Sequence, residues 1–297
     1  MRDLESQIAI EYWLSDVRTY FSETASELLP LFDIYAAEAV FGRGYIASDL
    51  KSLRSGARLL EVGAGSLLLS CQLVREGFQV TGIEPTGDGF SHFEQLRLRV
   101  RERAAALGCL PRVLDLAGEA LNERDCFDYA FSVNVMEHVD DVARVIANVG
   151  RSLVVGANYR FTCPNYLFPY EPHFNIPTLI SKKLTESAFS QKIFGSKKMP
   201  DPSGTWKSLN WINVVQVRSV AKQLEWLRVR FNRLLLVSTL ERITSDQDFA
   251  NRRSPVVRKL LGLFVWLRLH LLLRFVPTVL QPIMDCSLQK LSDSEAH

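Results

Sequence analysis

The sequence predicts an α/β fold, Rossmann-like and doubly wound, with a mostly parallel sheet, a helical N-terminal cap and a C-terminal apolar and basic helical extension. Two observations predict the sheet. Apolar runs of strand length alternate with helical patterns between residues 57 and 163, and the first run ends in a Glu-x-Gly-x-Gly turn at residues 61–65. Strands that alternate with helices of such lengths form a parallel sheet covered by helices on both faces.

Each element of this sheet has a signal of its own in the chain. Two helices are predicted to end at Gly77 and Gly108, because glycine adopts the left-handed conformation that closes a helix. Apolar residues recur at helical spacing over residues 5–50, which predicts the N-terminal cap. The predicted strands lie at about 57–62, 78–84, 111–116, 127–133 and 157–163, and the predicted helices of the sheet at about 67–75, 89–107 and 140–152.

The pattern changes after the fifth strand. Four prolines within residues 164–177 exclude regular helix and central strand there, so an ordered loop is predicted. Beyond it we expect helices at 178–193 and 206–228, a loop at 195–205 between them, and a late strand within 229–240. The chain thus divides into a cap at 1–50, a main domain at 51–245 with a substrate loop or lid at about 164–210, and an amphipathic helical extension at 246–297.

The glycine turn predicts a nucleotide-type cofactor. A strand that ends in such a turn before a helix presents unpaired backbone N–H groups to a ligand. Glu84 ends the second strand 19 residues after Gly65, where an acid accepts hydrogen bonds from ribose hydroxyls. A dinucleotide site needs a third glycine at position 68, which is a leucine, so NAD and FAD are disfavoured.

These residues resemble the class I S-adenosylmethionine (SAM) dependent methyltransferases, whose first motif is an acid-x-Gly-x-Gly turn and whose second is an acid ending strand two. Residues 127–141 are similar to the family's fourth strand and the turn after it. The resemblance covers about residues 55–175. It implies the cofactor S-adenosyl-L-methionine, a transferase activity on a methyl group, and no metal.

The resemblance also implies which residues bind the cofactor. The glycines allow close approach of the backbone, Glu84 takes the ribose hydroxyls, and the family's acid near the adenine is replaced here by Ala117, so that Gly118 or Glu119 takes its place. The alternative is a tight turn beside a solvated acid. The predicted cofactor-binding residues are Glu61, Gly63, Ala64, Gly65, Glu84, Pro85, Gly118, Glu119, Asn134 and Val135.

Two histidines are candidates for catalysis. His173 lies in the proline-rich loop just past the fifth strand, and an imidazole with a pKa near neutrality accepts a hydroxyl proton. Its alternative role is to fix the loop by hydrogen bonds. His138 follows the fourth strand and is either a base near the methyl group or part of the scaffold. Trp206 and Trp211 suit stacking on a sugar, or else belong to the core.

Charge is divided unevenly along the chain. Residues 1–179 hold 16 Lys and Arg against 24 Asp and Glu, whereas residues 180–297 hold 19 against 9. An acidic catalytic half and a basic half that meets anionic material are therefore expected. The five cysteines are scattered singly and the N-terminus is acidic, which predicts a reduced, cytoplasmic protein without an export signal.

The apolar segment at 255–284 predicts contact with a membrane surface. Two arginines near its centre would each cost about 2.5–3.5 kcal/mol inside a bilayer, so spanning is disfavoured. Lys259, His270 and Gln281 recur at eleven-residue spacing and form a polar stripe, as in an interfacial helix on anionic lipid. A helix hairpin packed on the sheet, or a dimer contact, is the alternative.

Together these features predict a SAM-dependent methyltransferase that methylates an oxygen of a small-molecule or glycan acceptor, first of all a saccharide or lipid-linked glycan at the cytoplasmic membrane face. A quinone-like or phenolic acceptor, or a non-catalytic adaptor with this fold, is the alternative. Nucleic acid is not expected, because Asn134 is followed by valine and methionine rather than by two prolines and an aromatic residue. The oligomeric state stays open.

Overall fold

The computed structural model describes residues 2–85, 91–196, 201–245 and 255–292 of the 297-residue chain. Its centre is a seven-stranded sheet. The strands are β1 Arg58–Val62, β2 Gln79–Ile83, β3 Arg112–Leu114, β4 Phe127–Val133, β5 Leu153–Pro164, β6 Leu227–Phe231 and β7 Ile283–Lys290. The helices are α1 Arg2–Thr24, α2 Leu29–Leu50, α3 Leu68–Arg75, α4 Ser91–Ala106, α5 Val142–Ser152, α6 Lys182–Phe194, α7 Pro202–Ser208, α8 Val214–Gln223, α9 Leu235–Ser245 and α10 Pro255–Trp266.

The strand order is β3-β2-β1-β4-β5-β7-β6. The pairs from β3 to β5 are parallel, and β7 lies antiparallel between β5 and β6. The predicted doubly wound, mostly parallel sheet is therefore confirmed. From β1 the chain runs outward through β2 to β3, and it then crosses to the other side of β1 to form β4. The carboxyl ends of strands at such a switch point form a crevice for ligands.

The helices begin where side chains cap them. Asp141 accepts the backbone N–H of Arg144 at the start of α5, and Asn213 accepts that of Gln216 at the start of α8. Such caps satisfy backbone donors that have no partner within the helix. Because α5 carries its apolar residues on one face, that face is buried against the sheet.

The predicted N-terminal cap packs on the opposite face of the sheet. Trp13 of α1 donates its indole N–H to the carbonyl of Leu68 over 2.9 Å. Tyr45 of α2 donates its hydroxyl to Asp285 Oδ1 over 2.7 Å. Arg160 of β5 pairs with the same carboxylate, with 2.8 Å between Nη2 and Oδ2. These contacts hold α2 over the crevice at the carboxyl ends of the strands.

The prediction of a helical extension over 246–297 is wrong at its end. Helix α10 stops near Arg268, which adopts the left-handed conformation at φ 58°. Two short 3-10 segments follow, Leu269–Phe275 and Thr278–Leu280, and β7 then enters the sheet. Pairing on both edges satisfies the backbone of β7, and the buried ion pair of Asp285 with Arg160 fixes it there. Residues 246–254 and 293–297 lie outside the described part.

The predicted long helix over 206–228 is also wrong. Helix α7 ends at Ser208, and the chain bends at Trp211, whose φ is 60°. Asn210 supplies a reason for the break, because its side-chain amide donates to the carbonyls of Met136 and Val139 over 2.8 and 2.7 Å. The chain then forms α8 and β6, so the late strand lies earlier than predicted. Among the described residues, no helix is long and apolar enough to cross a membrane.

Candidate active site

A cavity of about 470 Å³ lies at the carboxyl ends of β1, β2 and β4, beneath α2. Its size falls in the range of small-molecule sites. Every residue predicted from the sequence to bind the cofactor lines it: Glu61, Gly63, Ala64, Gly65, Glu84, Pro85, Gly118, Glu119, Asn134 and Val135. The sequence therefore located the cavity, while the role of each residue stays a prediction.

The glycine turn is packed directly against the turn after β4. Gly63 has φ 74° and Gly65 has φ 47°, both in the left-handed region. A Cβ atom on Gly63 would lie 2.3 Å from Cγ2 of Val135, closer than any real contact. Gly63 is thus required twice, for its backbone conformation and for the space that Val135 occupies.

The expectation of unpaired N–H groups in this turn is wrong for residues 63–65. Gly63 and Ala64 donate their N–H groups to the carbonyl of Ile83 over 2.9 and 3.1 Å. Gly65 donates to Glu84 Oε2 over 3.0 Å. The turn is therefore tied to β2 by the backbone and by the acid itself. A carboxylate accepts about four hydrogen bonds, so Glu84 retains capacity for ribose hydroxyls.

Buried acids give the cavity a preference for positive charge. Burial raises the pKa of Glu61 to about 8, although the hydrogen bond that Ser70 donates to this carboxylate acts to lower the pKa. Burial also raises the pKa of Glu84, opposed by the N–H of Gly65. Three further acids line the wall, Glu38, Glu119 and Asp140. Because a positive ligand stabilises the ionised forms, these acids favour a cation over an anion.

The region expected to meet an adenine is held by Glu119. Its Oε1 accepts the backbone N–H groups of Asp140 and Asp141 over 2.8 and 3.1 Å. Asn148 donates its side-chain amide to the carbonyl of Glu119 over 2.8 Å. The carboxylate thus ties the loop before α5 to the cavity wall, a structural task that the sequence did not indicate.

The two candidate catalytic histidines lie together. The rings of His138 and His173 meet edge to face with their centroids 5.4 Å apart. One ligand atom each of Glu137, His138 and His173 falls within 4.8 Å of the others. His138 also lines the cavity, together with Ser208. Glu137, His138 and His173 therefore form one polar group beside the predicted cofactor site. We call it the Glu-His-His group.

A hydrogen bond at Nδ1 orients each of the two imidazole rings. His173 Nδ1 lies 2.6 Å from Oε1 of the buried Glu171, and this carboxylate accepts the Nδ1 proton. His138 Nδ1 lies 2.8 Å from Oγ of Ser208. Since Ser208 donates its own proton to the carbonyl of Thr205, its oxygen accepts from His138. Both rings therefore carry a proton on Nδ1.

Burial and charge set the ionisation of this group. Burial lowers the pKa of His138 to about 3, helped by the positive charges of His173 and Lys182, so His138 is neutral at neutral pH. Burial raises the pKa of Glu137 to about 7. For His173 burial acts to lower the pKa, but the hydrogen bond and charge of Glu171 outweigh it and the net shift is upward.

Several lining residues were missed from the sequence. Glu38 had a usable signal, because it shares a helix face with Tyr35, Ala39 and Gly42 of α2, all of which line the cavity. Ser208 had none, since it comes from α7, far along the chain. The sugar-stacking role suggested for Trp206 is wrong: its ring is 1% exposed and its indole N–H donates to Glu186. Trp211 stacks on Tyr166 instead.

Comparison with known sequences agrees with this geometry. The sequence model of the methyltransferase domain family matches residues 41–250. This chain belongs to the methyltransferase family. The family predicted from the glycine turn and the fourth strand is thereby confirmed.

Three proteins illustrate what this methyltransferase is similar to. An uncharacterized protein of Mycobacterium tuberculosis (strain ATCC 25618 / H37Rv) is 48% identical over 278 residues, 94% of each chain. The ubiquinone biosynthesis O-methyltransferase of Rhodopseudomonas palustris (strain BisA53) is 28% identical over 147 residues, 46% of this chain and 50% of that one. A solved S-adenosylmethionine dependent methyltransferase from Mesorhizobium loti, 16% identical, has the same fold with a TM-score of 0.50 over 83% of this chain and 98% of its own.

Substitution of Gly63 tests the packing of the two turns. Gly63→Ala is expected to lower the free energy of unfolding by about 2–5 kcal/mol, the sum of a left-handed alanine and an overpacked contact. The matched control is Gly56→Ala, because Gly56 has φ 72° and open space around its Cβ position, and should lose only about 1–2 kcal/mol. Urea unfolding followed by circular dichroism measures both. Equal losses would show that the contact with Val135 is unimportant.

Proposed function

We propose that this chain is a SAM-dependent methyltransferase that methylates an oxygen of its acceptor. The observation that carries the proposal is the joint placement of the glycine turn, Glu84 and His138 of the Glu-His-His group around one acidic cavity. Membership of the methyltransferase family supports the reaction type. The acids Glu38, Glu61 and Glu84 suit a cofactor that carries a positive sulfonium and an ammonium group.

Different residues of the cavity would bind different parts of the cofactor. Glu84 accepts the ribose hydroxyls, and the turn at 63–65 leaves room for the methionine portion. Asn134 and Val135 close the opposite wall. When bound, SAM supplies an electrophilic methyl group, so a C–O bond forms to the acceptor while the C–S bond breaks and its electron pair returns to sulfur. The protein's share is to align the acceptor and to exclude water.

The Glu-His-His group supports an oxygen acceptor. A hydroxyl must lose its proton as it is methylated, and His138 brings an imidazole to the cavity wall, with Glu137 and His173 close beside it. The likeness to the ubiquinone biosynthesis O-methyltransferases also favours oxygen. That His173 is the general base stays a prediction from the sequence.

The acceptor class now favours a phenol over a saccharide. Trp206, which was expected to stack on a sugar, belongs to the core. The apolar C-terminal segment is then the only feature that still supports a lipid-linked glycan. A phenolic hydroxyl fits the curated O-methyltransferase relatives and the mostly apolar remainder of the cavity wall. We therefore place a quinone-like or phenolic acceptor first and a glycan second.

Calorimetry with SAM and with its demethylated product tests the cofactor site. Wild-type protein should bind both, and Glu84→Gln should weaken both by about tenfold or more, since a hydrogen bond to a charged group contributes about 1.5–3 kcal/mol. Glu27→Gln, an exposed carboxylate, is the matched control and should bind like wild type.

Two results would count against the proposal. If neither SAM nor its demethylated product gave binding heat, the protein would be a non-catalytic adaptor with this fold. Transfer of a radiolabelled methyl group from SAM to amines alone, within a panel of catechols, hydroxyquinones, saccharides and amines, would exclude the oxygen acceptor.

We further propose that the segment at 255–280 rests on an anionic membrane surface. It packs on α9 and leaves much of its apolar surface outward, with Trp266 76% and Phe275 64% exposed. Basic side chains stand among these residues, which matches the charge of anionic lipid. The predicted polar stripe does not lie on one outward face, because Lys259 is exposed whereas His270 and Gln281 are buried.

Vesicle sedimentation tests this surface with point substitutions, because a deletion from residue 255 would remove β7 from the sheet. Wild-type protein should sediment with phosphatidylglycerol vesicles and much less with phosphatidylcholine vesicles. Leu263→Glu with Trp266→Glu should abolish sedimentation, whereas Ile180→Glu, at a residue 98% exposed elsewhere, should not. Wild-type protein that stays in the supernatant would refute the membrane surface.

A further inference from the structure

The carboxylate of Glu137 is the buried acid of the Glu-His-His group. Its side chain is fully covered, and neither carboxylate oxygen has a hydrogen-bond partner among the described residues. Taking a carboxylate out of water costs several kcal/mol unless a charge or a donor compensates it. Buried polar groups in native proteins are almost always satisfied, so this one points to a group that the chain does not itself provide.

The surroundings of Glu137 have the dimensions of a metal site. One ligand atom each from Glu137, His138 and His173 lies within 4.8 Å of the others. Nitrogen and oxygen ligands stand about 2.0–2.2 Å from a first-row divalent cation, so two ligands of one ion are at most about 4.4 Å apart. A contraction of a few tenths of an ångström would bring all three onto one ion.

Both histidines are also prepared as ligands by their outer contacts. Metal-binding histidines usually donate the N–H of the other ring nitrogen to a carboxylate or another oxygen, which fixes the tautomer. His173 donates Nδ1–H to Glu171, and His138 donates Nδ1–H to Ser208. Glu171 is held in turn by the backbone N–H groups of His173 and Phe174, at 3.1 and 2.7 Å. In each ring Nδ1 carries the proton, so Nε2 is the nitrogen that would coordinate an ion.

We propose that Glu137, His138 and His173 together bind one divalent first-row cation at the wall of the methyltransferase cavity. A carboxylate with two imidazoles is a ligand set used for zinc, manganese or ferrous iron, and three protein ligands leave coordination positions open. The expectation of a metal-free site is thereby replaced. His173 becomes a ligand rather than the general base.

The position of the ion suggests its use, a role that rests on the proposed function. His138 and Ser208 line the cavity, so an ion on His138 stands at the edge of the space left for the acceptor. A bound cation lowers the pKa of a hydroxyl that coordinates it. The hydroxyl proton then passes to water, and the oxygen is ready to accept the methyl group.

Titration with Mn²⁺, followed by the electron paramagnetic resonance signal of the free ion, tests the site without any methyl transfer. Full-length protein should bind one Mn²⁺ per chain. Glu137→Gln and His173→Ala should weaken binding by at least tenfold, and Glu171→Gln, which removes the charge that accepts the Nδ1 proton of His173, by about 10–100-fold. Glu225→Gln removes an exposed carboxylate and should bind as wild type does.

A thermal melt without metal separates a ligand from a structural residue. Because the carboxylate of Glu137 has no hydrogen-bond partner among the described residues, Glu137→Gln should melt at or above the wild-type temperature, whereas a Glu137 that stabilises the fold would give a variant that melts lower. Wild-type protein that binds no Mn²⁺, or a Glu137→Gln variant that binds it undiminished, would overturn the inference. SAM binding with no Mn²⁺ binding would overturn the metal site alone; Mn²⁺ binding without SAM binding would overturn only the proposed cofactor.

Discussion

The contact between Gly63 and Val135 joins the two halves of the site. The turn after β1 and the turn after β4 meet there so closely that no Cβ atom fits between them. Val135 comes two residues before Glu137. The contact between Gly63 and Val135 therefore positions the glycine turn relative to the Glu-His-His group. Parallel strands bring these turns to one edge of the sheet, and the missing side chain lets them touch. The spacing between the glycine turn and the Glu-His-His group is therefore set by the packing of Gly63 against Val135.

The buried acids also differ between the two halves of the site. On the cofactor side, Glu61 and Glu84 are buried yet each accepts a hydrogen bond from within the chain. On the acceptor side, Glu137 is buried with both oxygens unpartnered among the described residues. Partly satisfied acids suit a cationic organic ligand, which adds charge without needing every lone pair. An unsatisfied acid flanked by two oriented imidazoles suits an inorganic cation, which takes its lone pairs directly.

What the sequence revealed depended on whether the signal was local. The glycine turn, Glu84 and the β4 turn lie in short motifs with fixed spacing, so the cavity was found correctly. Strand β7 was missed because it follows an apolar stretch and is held by partners far away, among them Arg160 and Tyr45. The helix break at Asn210 depends on carbonyls of the β4 turn, more than seventy residues earlier. The pairing of His138 with His173 likewise exists only in the folded chain.

A crystal structure with the demethylated product of SAM bound tests the central claim most directly. We expect its ribose at Glu84, its base near Gly118 and its sulfur facing His138, so that a transferred methyl group would point to the Glu-His-His group. The reverse orientation, with the sulfur end beside Gly118, would contradict it, as would density for the product outside this cavity.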